Sequence, residues 1–386
     1  MLSKTVRVGI ALALSLVAGN ARAQANGERY SMQGFGGWAF SQTSTEGRWS
    51  EAATKDGEYG NYNFALNLAA QPTAKLSIRS QAYWGQNLRG TKLNLDYAFA
   101  QYAHSPALKF RAGRALTPFG LYSEIYDVGT LRPFYYLPQF YAGRLGLIPK
   151  SYLGAGLNGT HSLGKEWEAS YDAFGGEIQF EEFTTSTLAA FNPTTRLPII
   201  EENNARLVGR QMIGGRIVVA SPTRGLDLGG SVIHIGDLKQ VTAQGRVPFS
   251  VGDTATFLNG RLQYQRGKFT GRAEIFQALT DRADVGSWYL EVSHKLTKRW
   301  QLAAQYEKGN ITLLPGDNSV PPPLRVHESI GGAWNFWFTP EFVIKLNAYH
   351  VDGNMLTRPE GAIVKYLTGT LDTKTNVVVL GTQFSF

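Results

Sequence analysis

Between Ala115 and Lys150 the chain carries Glu124, Asp127, Arg132, Arg144 and Lys150, acids and bases in close succession. Fixed charges of both signs either neutralise one another or, across a narrow film of water, set up a field that sorts small ions. More basic residues lie outside the stretch, at Lys75, Arg79, Lys109, Arg111, Arg114, Arg206, Arg210, Arg216 and Arg261. The stretch is also rich in rings: Tyr122, Tyr126, Phe134, Tyr135, Tyr136, Phe140 and Tyr141. Those rings could stack on a sugar or an aromatic solute, or they could pin the segment to its surroundings; pinning is the preferred reading, because rings commonly seek burial.

Other patterns lead nowhere. Gly154-Ala155-Gly156-Leu157-Asn158-Gly159 matches a nucleotide-binding string, but no helical period follows it, so these glycines read as room beside a folded segment. The histidines, His104, His161, His234, His294, His327 and His350, show no paired metal spacing, and no cofactor is implied. Asn158-Gly159-Thr160 and Asn310-Ile311-Thr312 fit the glycosylation pattern without further context. No G-x-S-x-G elbow is present, and catalysis is not expected. With no cysteine there are neither disulfides nor thiolate metal sites.

The elements around the charged stretch are strands. Pro118, Pro133, Pro138 and Pro149 forbid a regular element through the stretch itself, while its rings make it too apolar for a solvated tether. Elsewhere the period is two. Tyr62, Phe64, Leu66 and Leu68 oppose Asn61, Asn63, Ala65 and Asn67; Leu93, Leu95, Tyr97 and Phe99 oppose Asn94, Asp96 and Ala98. Near the end, Phe342, Ile344, Leu346 and Ala348 oppose Lys345 and Asn347. Sixteen such segments are expected, near 31–43, 58–70, 73–85, 92–103, 106–114, 151–162, 166–175, 206–219, 225–236, 254–266, 268–280, 285–296, 299–309, 326–338, 341–352 and 374–386. The 43 glycines and the 8 Trp, 18 Tyr and 21 Phe suit twisted strands better than helices.

Connection lengths then choose between a soluble sandwich and a membrane barrel. Even-numbered connections are tight, such as Gln71-Pro72, Ser105-Pro106 and Thr339-Pro340, whereas most odd ones are long, including 44–57, 115–150, 176–205 and 353–373. That rhythm predicts a transmembrane antiparallel up-and-down β-barrel over residues 24–386, with apolar positions toward outer-membrane lipid and arginines toward the lumen. Arg114 falls on the lipid-side phase, at a strand end from which it could turn into the loop. Residues 1–23 read as a cleaved export signal, with Lys4 and Arg7, an apolar run from Val8 to Ala18 and the small-residue pattern Ala21-Arg22-Ala23. The formal charge of +8 is spread among carboxylates, which argues against a nucleic-acid partner.

The strand count, the turn and loop rhythm and the oversized loop after the fifth strand together resemble the Gram-negative porins. The final strand, with Val378, Leu380, Phe384 and a terminal Phe386 in one phase, looks like the signature such barrels present for insertion. Arg111-Ala112-Gly113-Arg114 followed by Thr117-Pro118-Phe119-Gly120-Leu121 is similar to the strand-to-loop junction of the phosphate-selective porin group. The ladder of closely spaced lysines is missing, so phosphate selectivity is not carried over. The resemblance implies that the third external loop, 115–150, folds inward and narrows the channel, and that the barrel is a homotrimer in the Gram-negative outer membrane passing small hydrophilic solutes and ions. The constriction would then comprise Arg79, Arg111, Arg114, Glu124, Asp127, Arg132, Arg144 and Arg210, with a mild anion preference from the arginine excess. Two other readings stay open: a selective channel for an anion or organic acid, and an enzyme or adhesin using the barrel as a scaffold.

Overall fold

The computed structural model describes residues 29–386 apart from positions 48, 50–52, 88–89, 143–147, 165, 192–193, 195–197, 243–244, 249–252, 282, 314, 316–319, 358 and 360. The expected export signal and Arg144 therefore lie outside the described residues. Strands dominate: β1 (Tyr30–Thr43), β2 (Glu58–Ala70), β3 (Leu76–Asn87), β4 (Gly90–Ser105), β5 (Leu108–Leu116), β6 (Ser151–Ser162), β7 (Glu168–Phe191), β8 (Pro198–Ala220) and β9 (Leu226–Thr242). They continue with β10 (Gly245–Pro248), β11 (Ala255–Arg266), β12 (Phe269–Thr280), β13 (Ala283–Lys295), β14 (Trp300–Leu313), β15 (Val326–Thr339), β16 (Phe342–Asp352) and β17 (Lys374–Ser385).

Apart from the short β10, the strands pair antiparallel in sequence order, and β17 closes on β1 from Phe35↔Ser385 to Thr43↔Val377. Sixteen strands are the barrel staves. β10 pairs with β9 alone and extends that hairpin, since β9 reaches β11 lower down. Closure removes every edge, which a sheet without water around it requires.

Alternation sets the two faces. On β13, Trp288, Leu290 and Val292 point out and are exposed, while Ser287, Tyr289 and Glu291 point in and are buried. Outward apolar side chains recur around the barrel, among them Leu68, Ile78, Ile217, Leu258, Ile275, Ile330 and Leu380. Rings gather at the rim with the short turns, where Trp300 lies 5.4 Å from Trp334 and 4.6 Å from Phe336.

Two sequence expectations are corrected. The long loop expected at 176–205 is mostly strand, because β7 and β8 run on as a paired hairpin from Ile178↔Gly209 to Phe191↔Pro198. A hairpin that runs on beyond lipid is not held to an apolar and polar alternation, so the pattern that marks the staves does not announce it in sequence. The second correction concerns phase in β4. Leu93 and Leu95 point out, but the register shifts between Gln81 and Ala82 of β3, whose partners are Tyr97 and Leu95. Asp96 is the extra residue of this bulge, and beyond it Phe99 is buried inside instead of sharing the outer face with Leu95. A one-residue insertion flips every later side chain, and bulges re-aim side chains in this way.

Candidate pore constriction

The segment after β5 enters the barrel and is held from stave to stave. Its neck is tied by the Thr117 amide donating to the Lys150 carbonyl at 3.0 Å. Gly120 turns the chain inward at φ 71°, and a Cβ there would collide with the Tyr141 hydroxyl and the Glu274 carboxylate. That carboxylate, on β12, accepts from the Leu121 amide at 2.8 Å, the Tyr141 hydroxyl at 2.9 Å, the Tyr289 hydroxyl at 2.6 Å and Asn259 at 3.1 Å. Beside it the Tyr122 hydroxyl donates to Glu291 at 2.7 Å, and Arg272 reaches both.

Rings complete this anchor. Phe119, Tyr122, Phe140 and Tyr141 are each 1% exposed and pack with Phe257, Phe276 and Tyr289. Phe140 stacks on Phe276 at 5.4 Å. At the far side of the lumen Phe134, Tyr135 and Tyr136 lie against Ala39, Tyr349, Val377 and Val379, inward residues of β1, β16 and β17. The Tyr135 amide donates to Asn347 at 2.7 Å, and Tyr136 shares its hydroxyl with Ser41 and Asn61. These buried contacts answer the question left open by the rings: they pin the loop.

Two ionic clusters fasten the rest. Lys150 Nζ lies 2.6 Å from both Asp96 and Asp127, and Gln81 donates to each carboxylate at 2.8 Å. The ammonium also sits 4.5 Å over the Tyr83 ring. Burial pushes this lysine's pKa down, but Asp127 and Asp96 outweigh it and raise it. In the second cluster Arg216 Nη2 lies 3.0 Å from Glu124 and 2.8 Å from Asp172. Enclosure by protein pushes the Glu124 carboxyl up, yet Arg216, with Arg111 and Arg261, outweighs it and holds the group below its usual value. Glu124 is walled in but its side chain is 52% exposed to lumen water, so the pair is screened and contributes at most ~1 kcal/mol.

The remaining predicted site residues separate. Arg79 points inward from β3 and is exposed. Arg111 points inward from β5, donates to Gln101 at 3.2 Å and lies 4.8 Å from the centre of the Phe99 ring. Arg114 stays on the outer phase beside the exposed Leu153 and bonds Ser151 at 2.9 Å instead of turning into the loop. Arg210 pairs with Glu177 of β7 at 3.1 Å and, among the described residues, makes no bond to the loop. Arg132 lies within the loop, half-buried. The structure thus sets Glu124, with Arg111 near it, and Asp127 in two separate clusters and leaves Arg114 and Arg210 apart. Gln81, Arg272, Lys345 and Asn347 join the site unpredicted; their inward phase was readable, their partners on the loop were not.

The loop fills one side of the lumen. Inward residues beneath it on β12 to β17 are buried, including Glu274, Glu291, Gln305, Asn335, Lys345 and Gln383. Arg79, Lys109, Arg111 and Asn158, from β3 to β6, keep contact with water. The open space is therefore eccentric, running between those staves and the Glu124 side of the loop.

No family model matches the chain, and no curated protein matches it either. Solved structures do. The OmpF porin of Salmonella typhi, solved with daunomycin, is 12% identical with a TM-score of 0.55, over 93% of this chain and 98% of that one. The fold is the porin fold. An anion-selective porin from Comamonas acidovorans shares this porin fold at 10% identity and TM-score 0.53, over 92% and 99% of the two chains. OmpT of Vibrio cholerae, in its trimer form, does so at 9% identity and TM-score 0.52, over 92% and 99%.

Proposed function

We propose that this chain is an outer-membrane porin through which small hydrophilic solutes and ions diffuse passively, with a mild preference for anions. One observation carries the sign of that preference. The loop's acids are engaged, Asp127 by Lys150 and Glu124 by Arg216. Arg79 and Arg111 border the open side, and neither pairs with a carboxylate among the described residues. A hydrated anion passing there meets guanidinium donors, while Asp127 and Glu124 are held by Lys150 and Arg216, each of which is shared with a second carboxylate. Weak contacts suffice, because a solute must also leave.

The same reading makes residues 1–23 a cleaved export signal, places 24–386 in the outer membrane with lipid around the apolar belt, and assembles the barrel as a homotrimer. It needs no cofactor, no nucleic acid and no chemical step. The porin-fold neighbours, one an anion-selective porin and one in trimer form, support it. Planar-bilayer recording tests it: discrete current steps are expected, with a reversal potential in a salt gradient of the sign for anions. A folded barrel that gives no current overturns the porin reading, and a cation-selective reversal potential overturns the arginine argument.

A further inference from the structure

Lys345 of β16 is fully buried beneath the loop. Its ammonium donates to three loop carbonyls, Arg132 at 2.6 Å, Gly129 at 2.8 Å and Phe134 at 3.3 Å. An ammonium has three donors, and here all three are spent on the loop. No ion pair to a carboxylate accompanies them among the described residues. A buried lysine charge is costly unless it is met, so the carbonyl dipoles must meet it. The loop is shaped to do so: the single turn Gly129–Leu131 followed by extended Arg132 brings the carbonyls round to one point. Neighbouring wall residues satisfy what remains of that backbone. Asn335, paired with Lys345 across the sheet, donates to the Pro133 carbonyl at 2.7 Å, and Asn347 accepts from Tyr135.

We propose that Lys345 is the latch that positions the constriction: its ammonium occupies a cation-binding cage formed by the Gly129, Arg132 and Phe134 carbonyls, and that cage seats the middle of the loop on the wall. The inference rests on reading the loop as the constriction, though the latch itself is a statement about binding. It differs from the ionic clusters at Glu124 and Asp127 in being charge against dipoles, so it is specific for a cation bearing N–H groups. Removing the lysine stem leaves a cage that a small primary ammonium ion can enter.

The chain has no cysteine, so a single Thr130→Cys, beside the cage and 3.5 Å from Ser385 in the parent, reports loop seating through its rate of reaction with a bulky maleimide. In the folded full-length protein, Lys345→Ala and Lys345→Met are each expected to speed labelling about tenfold. Millimolar propylammonium should return Lys345→Ala toward the parent rate, and tetramethylammonium, which lacks N–H, should not. Lys345→Met, whose stem fills the space of the lysine chain, should respond to neither. Labelling at the parent rate in both variants, or an equal response to the two ammonium ions, overturns the latch. Should Lys345→Ala not fold, Lys345→Met keeps the stem volume and decides the matter: unchanged labelling refutes the latch. Labelling needs no current, so a parent protein without conductance would refute the porin reading and leave this result standing.

Discussion

At the scale of residues, the sign of the lumen depends on which charges are already matched. Glu124 shares Arg216 with Asp172, so Glu124→Gln should remove a fixed negative charge at the open side and raise the anion-to-cation permeability ratio by about twofold. Arg111→Glu should abolish or reverse the preference, as reversal potentials would show. The pH profile follows from Arg216 holding the Glu124 carboxyl below its usual value. A depressed carboxylate contributes stability above its unfolded pKa and loses it as pH falls through the folded value. The Glu124 contribution to the preference should therefore be unchanged down to about pH 4 and be lost only below it. Lys150 has the opposite sign. Its pKa is raised, so its tether is complete below the ordinary lysine value of about 10.4 and is lost only at more alkaline pH. The residues of this network were legible in sequence as charges of the loop and of the inner phase of the strands, but their pairing was not: Glu124 and Arg216 stand 92 positions apart.

At the scale of elements, the loop is a structured plug held by rings at both ends and by backbone bonds between. Deleting Tyr122 to Tyr141 should raise single-channel conductance, since the deleted segment occupies one side of the lumen. Phe140→Ala removes stacking on Phe276 and tilted contact with Tyr289, a loss of about 3–5 kcal/mol for a fully buried ring. Because those contacts join loop to wall and not stave to stave, the expected outcome is noisier current with the folded barrel's thermal stability little changed. The place and length of this element were visible from its prolines and rings. Its path was not, because proline excludes regular structure without saying where the chain goes. The phase of β4 was missed for a related reason: a bulge at Asp96 leaves no mark in an alternating pattern, so Asp96 keeps its expected inward aim at Lys150 while Phe99 beyond it is turned inside.

At the scale of the whole molecule, the barrel closes where its first and last strands meet. Phe386 exchanges backbone bonds with Gly34 at 2.9 and 2.8 Å, and its ring lies where a Cβ on residue 34 would be. Gly34→Val should therefore displace the terminal ring and lower the fraction of chain that refolds to a compact barrel, measured by the mobility of unheated protein on a gel; a folded yield equal to the parent's would count against the closure argument. The sequence by itself determined the staves, their in-and-out phase save beyond the β4 bulge, and the interruption between the fifth and sixth, because each reflects a local contrast between apolar and aqueous surroundings that repeats every two residues. Only the tertiary structure decided which charges remain open. That choice depends on which wall the loop lies against, and closing the barrel sets Asp96, Arg216, Glu274 and Lys345 on staves far apart in sequence around a single loop.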